Sequence, residues 1–278
     1  MLFFTRLMTL RPTRSRIGTI LPAALVLAAT LLGVTTTPAA IAGVEPSKGS
    51  FVDKFRQLDE IWPTPNGYRT AAGEPGRQYW QQKADYRIEV SLDEANRRVT
   101  GSELLSYKNN SPDTLRYLWL QLDQNRFRDD SVDSRTLTVN ESEKITFTEL
   151  RRLQFMRDFE GGYQITRVAG GNRELPHSIV GTLMRIDLPE PLQPGASIRL
   201  NIDWQHNLVD GKAMRARSGY EHFVADGNDI FLLAQWYPRM VVYSDYEGWH
   251  NKEFLGRGEF TLEFGDYDVA ITVPADHV

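Results

Sequence analysis

Ala84-Asp85-Tyr86-Arg87-Ile88-Glu89-Val90-Ser91-Leu92 alternates apolar and polar side chains without a break. In an extended chain successive side chains point to opposite faces, so this stretch is a half-buried strand with Ala84, Tyr86, Ile88, Val90 and Leu92 on the core side. Asp93-Glu94-Ala95-Asn96 supplies turn formers, and Val99 to Tyr107 continues as a second strand. Leu115 to Leu122 (LRYLWLQL) is a third, apolar on both faces. The period of two returns in Met184-Ile186-Leu188, in Ile198-Leu200-Ile202-Trp204, in Phe260-Leu262-Phe264 and in Val269-Ile271-Val273. Turn signals separate these sets: Pro189 and Pro191, Pro194-Gly195, and Gly265-Asp266. Short strands at this density predict an all-β fold, an antiparallel β-sandwich.

Outward from the strands, the pattern weakens. The segment 128–181 opens with Asp129, Asp130 and Asp133, carries a helix signal near Glu149 to Arg157, and holds the pairs Gly161-Gly162 and Gly170-Gly171. It reads as an insertion of mixed structure within a β-domain over 79–278. Residues 43–78 are rich in Pro, Gly and polar side chains, with one apolar stretch through Phe51, Phe55, Leu58, Ile61 and Trp62. That composition predicts a linker with a short helical segment. Residues 1–42 have the pattern of a signal peptide: Arg6, Arg11, Arg14 and Arg16 with no acid, then the short apolar run Ile20 to Val34, ending near Ala40-Ile41-Ala42. The run is broken by Pro22, Thr30 and Gly33 and falls short of the roughly 20 apolar residues a spanning helix needs. The expectation is an exported protein, periplasmic or secreted, with no membrane attachment once the leader is cleaved; an uncleaved signal-anchor is the other reading.

Composition closes off several functions. The chain has 278 residues, 41% of them hydrophobic, with 32 Lys+Arg against 36 Asp+Glu and no Cys. Losing four arginines and no acid with the leader would move the net charge from -4 to -8, so no nucleic-acid partner is expected. Without cysteine there are no disulfides, no thiol nucleophile and no thiolate-bound metal. The five histidines, His177, His206, His222, His250 and His277, include no pair three or four residues apart, and the chain lacks H-E-x-x-H. Each histidine reads as a surface or hydrogen-bonded side chain, and no metal ligand is assigned. Ser218 lacks the glycine two residues before it that a nucleophile elbow requires, and neither glycine pair forms a phosphate-binding motif.

The densest local feature is Ile230 to Trp249 (IFLLAQWYPRMVVYSDYEGW). It reads as a core strand ended by Pro238 and followed by a packed aromatic loop, or as a contact surface built on Trp236, Tyr237, Tyr243, Tyr246 and Trp249. This stretch, with its continuation Phe254 to Ala275, resembles the N-terminal β-domain of exported bacterial zinc metallopeptidases of the aminopeptidase N family (gluzincins). The hairpin Ala84 to Asn109, the strand from Leu115 to Leu120, and Pro191-Leu192-Gln193-Pro194-Gly195 before Ile198 to Trp204 are similar to other parts of that domain. The resemblance covers about Tyr79 to Val278 and leaves out 128–181.

The resemblance implies a saddle-like β-sandwich whose partner is a catalytic domain on the same polypeptide, with peptide substrate bound between them. It places zinc in that missing catalytic domain and no cofactor in this chain. The chain stops at Val278, inside what the resemblance makes a β-hairpin, so it reads as a truncated piece, inactive alone as a peptidase. Gln235, in Leu233-Ala234-Gln235-Trp236-Tyr237, sits where the family carries a glutamine that holds the substrate's free amino terminus; Tyr237 and Pro238 depart from the family's usual residues there. The alternatives are that Gln235 caps a strand end, and that the whole chain is a self-standing exported binding module for protein or carbohydrate.

Overall fold

The structure, a computed structural model, describes residues 65–136, 144–214, 216–256 and 261–277. The leader over 1–42 and the apolar stretch from Phe51 to Trp62 lie outside them. In chain order the elements are β1 (Lys83–Asp93), β2 (Arg98–Lys108), β3 (Leu115–Gln121) and a 3-10 turn (Asp123–Phe127). Then come α1 (Val132–Arg135), α2 (Phe147–Asp158), β4 (Tyr163–Gly170), β5 (Arg173–Glu174), β6 (His177–Val180), β7 (Leu183–Leu192) and β8 (Ser197–Asn207). The remainder is α3 (Gly211–Met214), β9 (Gly219–Phe223), β10 (Asn228–Leu232), β11 (Arg239–Met240), β12 (Tyr243–Ser244), β13 (Gly248–Trp249) and β14 (Tyr267–Thr272).

Two sheets make the sandwich, one in the order β14-β1-β2-β8-β4-β5 and one in the order β11-β3-β7-β6. Their inward side chains form one core: Tyr86, Ile88, Leu105 and Tyr107 from β1 and β2, Leu200, Ile202 and Trp204 from β8, Leu118 and Leu120 from β3, and Met184 and Ile186 from β7. The alternation at Ala84 to Leu92 is therefore the pleat of β1, which pairs with β2 from Lys83↔Lys108 to Asp93↔Arg98. Gly101 of β2 faces Trp204 of β8, and a Cβ there would lie 2.3 Å from the indole. The glycine leaves the space the ring fills.

Within 128–181, Ser131 and Thr146 cap the two helices by accepting hydrogen bonds from Ser134 N and Glu149 N. The later half supplies strands to both layers, β4 beside β8 and β6 beside β7.

Two strand expectations fail. Leu262 bridges only Val241, next to β11, and Phe264 bridges only Lys83, at the start of β1. The segment crosses from one sheet to the other, so its alternation extends neither. Ile230 does not lie in a core strand: β10 pairs with β9 in a separate two-stranded ribbon that leaves Ile230 57% exposed. The Asp226-Gly227 turn folds β10 back on β9, and the chain leaves this ribbon after Leu232 before joining β3 at Arg239. Among the described residues no helix is long and apolar enough to cross a membrane.

Candidate functional site around Gln235

Where β3 ends, the polar run Asp123-Gln124-Asn125 is buried in the 3-10 turn. Buried polar groups need partners: β11 and the loop before it provide them for Asp123 and Gln124, while Asn125 donates to the Gly181 carbonyl and accepts from Tyr163 N. Pairing of Gln121 with Arg239 and of Leu120 with Met240 carries Arg239 to the turn, where its guanidinium donates to the Asp123 carboxylate. Both residues are buried, so removing either would strand a charge, a loss of about 3–5 kcal/mol.

The same turn fixes the loop backbone. Gln124 Nε2 donates to the carbonyls of Ala234 at 2.9 Å and Gln235 at 3.1 Å. Tyr163, at the start of β4, donates its hydroxyl to the Gln235 carbonyl at 3.1 Å. Burial holds that phenol well above its ordinary pKa, keeping it a neutral donor. Ala234 N donates to Ser218 Oγ at 2.9 Å, and the His206 ring, at the end of β8, meets the Trp236 carbonyl at 3.3 Å. Burial pushes His206 down to about 4, so it is neutral near pH 7.

Held this way, Gln235 has φ of 49°, in the left-handed region that costs a non-glycine residue on the order of 1 kcal/mol. Its carbonyl is used twice, yet its side-chain amide makes no hydrogen bond to another described residue. The half-buried side chain lines a cavity of about 90 Å³ together with Asp123, Gln124, Arg217, Ser218 and Phe254. A water needs roughly 10–15 Å³ by the same measure, so the space admits a few waters or one small polar group.

The structure thus brings Gln235 to a cavity and places beside it Asp123, Gln124 and Tyr163, which sequence reasoning missed. The available signal was the polar run directly after an apolar strand. The aromatic stretch turns largely inward: Trp236, Tyr237 and Tyr243 pack against the core and Trp249 is buried within it. Tyr237 meets Tyr86 edge-on at 5.4 Å and Trp236 lies 6.0 Å from Trp204.

The histidines are dispersed. His177 Nδ1 lies 3.2 Å from the Leu175 carbonyl, His222 Nδ1 2.6 Å from Asp229, and His250 Nε2 2.8 Å from Ser244 Oγ. Among the described residues one group of three His, Asp or Glu side chains gathers its ligating atoms, and it contains a single histidine, His277. A hydrolytic zinc centre with two histidines and a glutamate does not fit these residues.

No family model matches the chain, and no curated protein matches it. Among solved structures, it is similar to a point mutant of the M1 zinc metallopeptidase from Deinococcus radiodurans, with 13% identity over 73% of this chain and 34% of that one and a TM-score of 0.36. The same mutant bound to a Tyr-Ser-Ala substrate gives 14% identity over 73% and 35%, again with a TM-score of 0.36. A further structure of the M1 zinc metallopeptidase from that organism gives 13% identity over 72% and 34%, with the same TM-score. At these values the likeness carries no argument about activity. The chain spans about a third of the length of the proteins it matches.

Proposed function

We propose that this chain is the non-catalytic β-domain of an exported, zinc-dependent metallopeptidase of the aminopeptidase N type, and that the loop around Gln235 forms part of the rim of its substrate cleft. The family part of this reading is supported by the sequence resemblance over Tyr79 to Val278. The role of the loop is supported by one observation: the Gln235 backbone is clamped in a strained conformation while its amide faces a small cavity without a partner among the described residues. Strain that several side chains maintain is characteristic of ligand-contacting positions. A carboxamide oxygen held this way can accept a hydrogen bond from a substrate's ammonium group without reorganising. The zinc and its water belong, in this proposal, to a catalytic domain outside this chain.

Gln235→Ala in the full-length enzyme is the test. A hydrogen bond to a charged group is worth about 1.5–3 kcal/mol, so KM for peptides with a free amino terminus should rise about 10- to 100-fold, with kcat little changed. N-acetylated peptides should show no such change. An unaltered KM for free-amino peptides would remove Gln235 from substrate binding.

A further inference from the structure

β14 runs parallel to β1, with Ser91 opposite Thr272. Parallel pairing delivers whatever follows the two strands to the same end of the sheet. After Ser91 comes the β1–β2 turn with Glu94, and after Thr272 comes the turn holding Asp276 and His277, closed by a hydrogen bond from His277 N to the Pro274 carbonyl at 3.2 Å. One ligating atom from each of Glu94, Asp276 and His277 lies within 4.8 Å of the other two. Bonds of about 2.0–2.3 Å to a divalent ion set ligand atoms up to about 4.6 Å apart across it, close to this spread.

Three further observations distinguish the trio from an ordinary surface cluster. Neither carboxylate has a Lys or Arg ion-pair partner among the described residues, so two like charges stand together without a neutralising cation. His277 Nδ1 lies 3.5 Å from Asp276 Oδ1, and Nε2 is shut off from solvent without a hydrogen-bond partner. The imidazole is also held in place, stacked on Phe231 with ring centroids 5.8 Å apart. Arg97, three residues on from Glu94, is engaged elsewhere, with the Tyr220 hydroxyl at 2.7 Å and Asp229 at 4.0 Å.

We infer that Glu94, Asp276 and His277 form a binding site for a divalent cation that clips the end of β14 to the β1–β2 turn. One imidazole and two carboxylates suit Zn²⁺, which takes nitrogen and oxygen donors, or the harder Mn²⁺, with water completing the shell. The role is structural, and it stands whether or not the proposed function does.

The test is calorimetric titration of the chain with ZnCl2 and with MnCl2, alongside Glu94→Gln, His277→Ala and, as a control, His222→Ala, each verified as folded by circular dichroism. Saturable one-to-one binding is expected for the parent and for His222→Ala, weakened at least about tenfold in Glu94→Gln and His277→Ala. The metal should also raise the melting temperature of the parent and not of Glu94→Gln. No saturable binding of either ion, or binding equally tight in all four proteins, would overturn the inference. In the first case the three side chains are a surface cluster that holds no ion; in the second the metal sits elsewhere.

Discussion

His206 shows how one buried side chain ties the core to the Gln235 loop. Its ring stacks on Trp204 at 5.9 Å, meets Tyr163 edge-on at 5.2 Å, and reaches the Trp236 carbonyl. With the folded imidazole held at about 4 against an ordinary 6.5, protons bind the unfolded chain more readily between those values. The stability this group lends is complete above about pH 6.5 and is lost as pH falls through about 4. His206→Gln should therefore lose less stability than the parent between pH 6.5 and 4, measured as the change in denaturation midpoint; equal losses would mean that other groups set the acid limit. Gln235 became a candidate in the sequence only through a family resemblance. Its neighbours were not, because Asp123 and Gln124 of the cavity wall and Tyr163 on its carbonyl reach it through the register of β3 with β11 and the placement of β4, neither of which is local information.

At the scale of elements, alternation identified β1, β7 and β8, each buried on one face or nearly so, and also β14, which is exposed throughout; β2 followed from the turn after β1, and β3 from an apolar run on both faces. With Phe260 outside the described residues, alternation misled at Leu262 and Phe264, where two single bridges to different sheets replace a ladder. It passed over β9 and β10 despite the Asp226-Gly227 turn that joins them, since the ribbon's apolar side chains are only partly covered. The β2–β8 pair offers a direct test of packing. Gly101→Ala would push a methyl group into the Trp204 indole, and overpacking of this kind costs about 1–3 kcal/mol. The variant should fold with a lower denaturation midpoint and altered Trp fluorescence; parent-like stability would show that the ring has room to move.

For the whole molecule, the sheet carrying β1 ends in β14, all of whose residues are exposed. Ile271 is 66% exposed, and among the described residues β14 pairs on one side only, with β1, so its other edge presents unpaired backbone groups at the rim. Such an edge is a template for pairing with another chain. The chain should self-associate as its concentration rises, and Ile271→Lys should suppress this, read by light scattering coupled to size exclusion. A parent that stays monomeric throughout would show that the edge is already protected. That β14 joins this sheet in parallel was beyond the reach of the sequence, because parallel pairing leaves no local turn to announce it.

The parallel strand also has a consequence in time. Arg87 and Asp268, which join across β1 and β14, are 181 positions apart. Closing a loop of that length costs on the order of 5 kcal/mol in chain entropy, recovered only once the intervening strands have drawn the ends together. Such high contact order slows folding. On the ribosome β1 emerges early and waits, its outer flank bare, until nearly the whole domain has been synthesised, so the interval between those two events is when this protein is most vulnerable to misassembly.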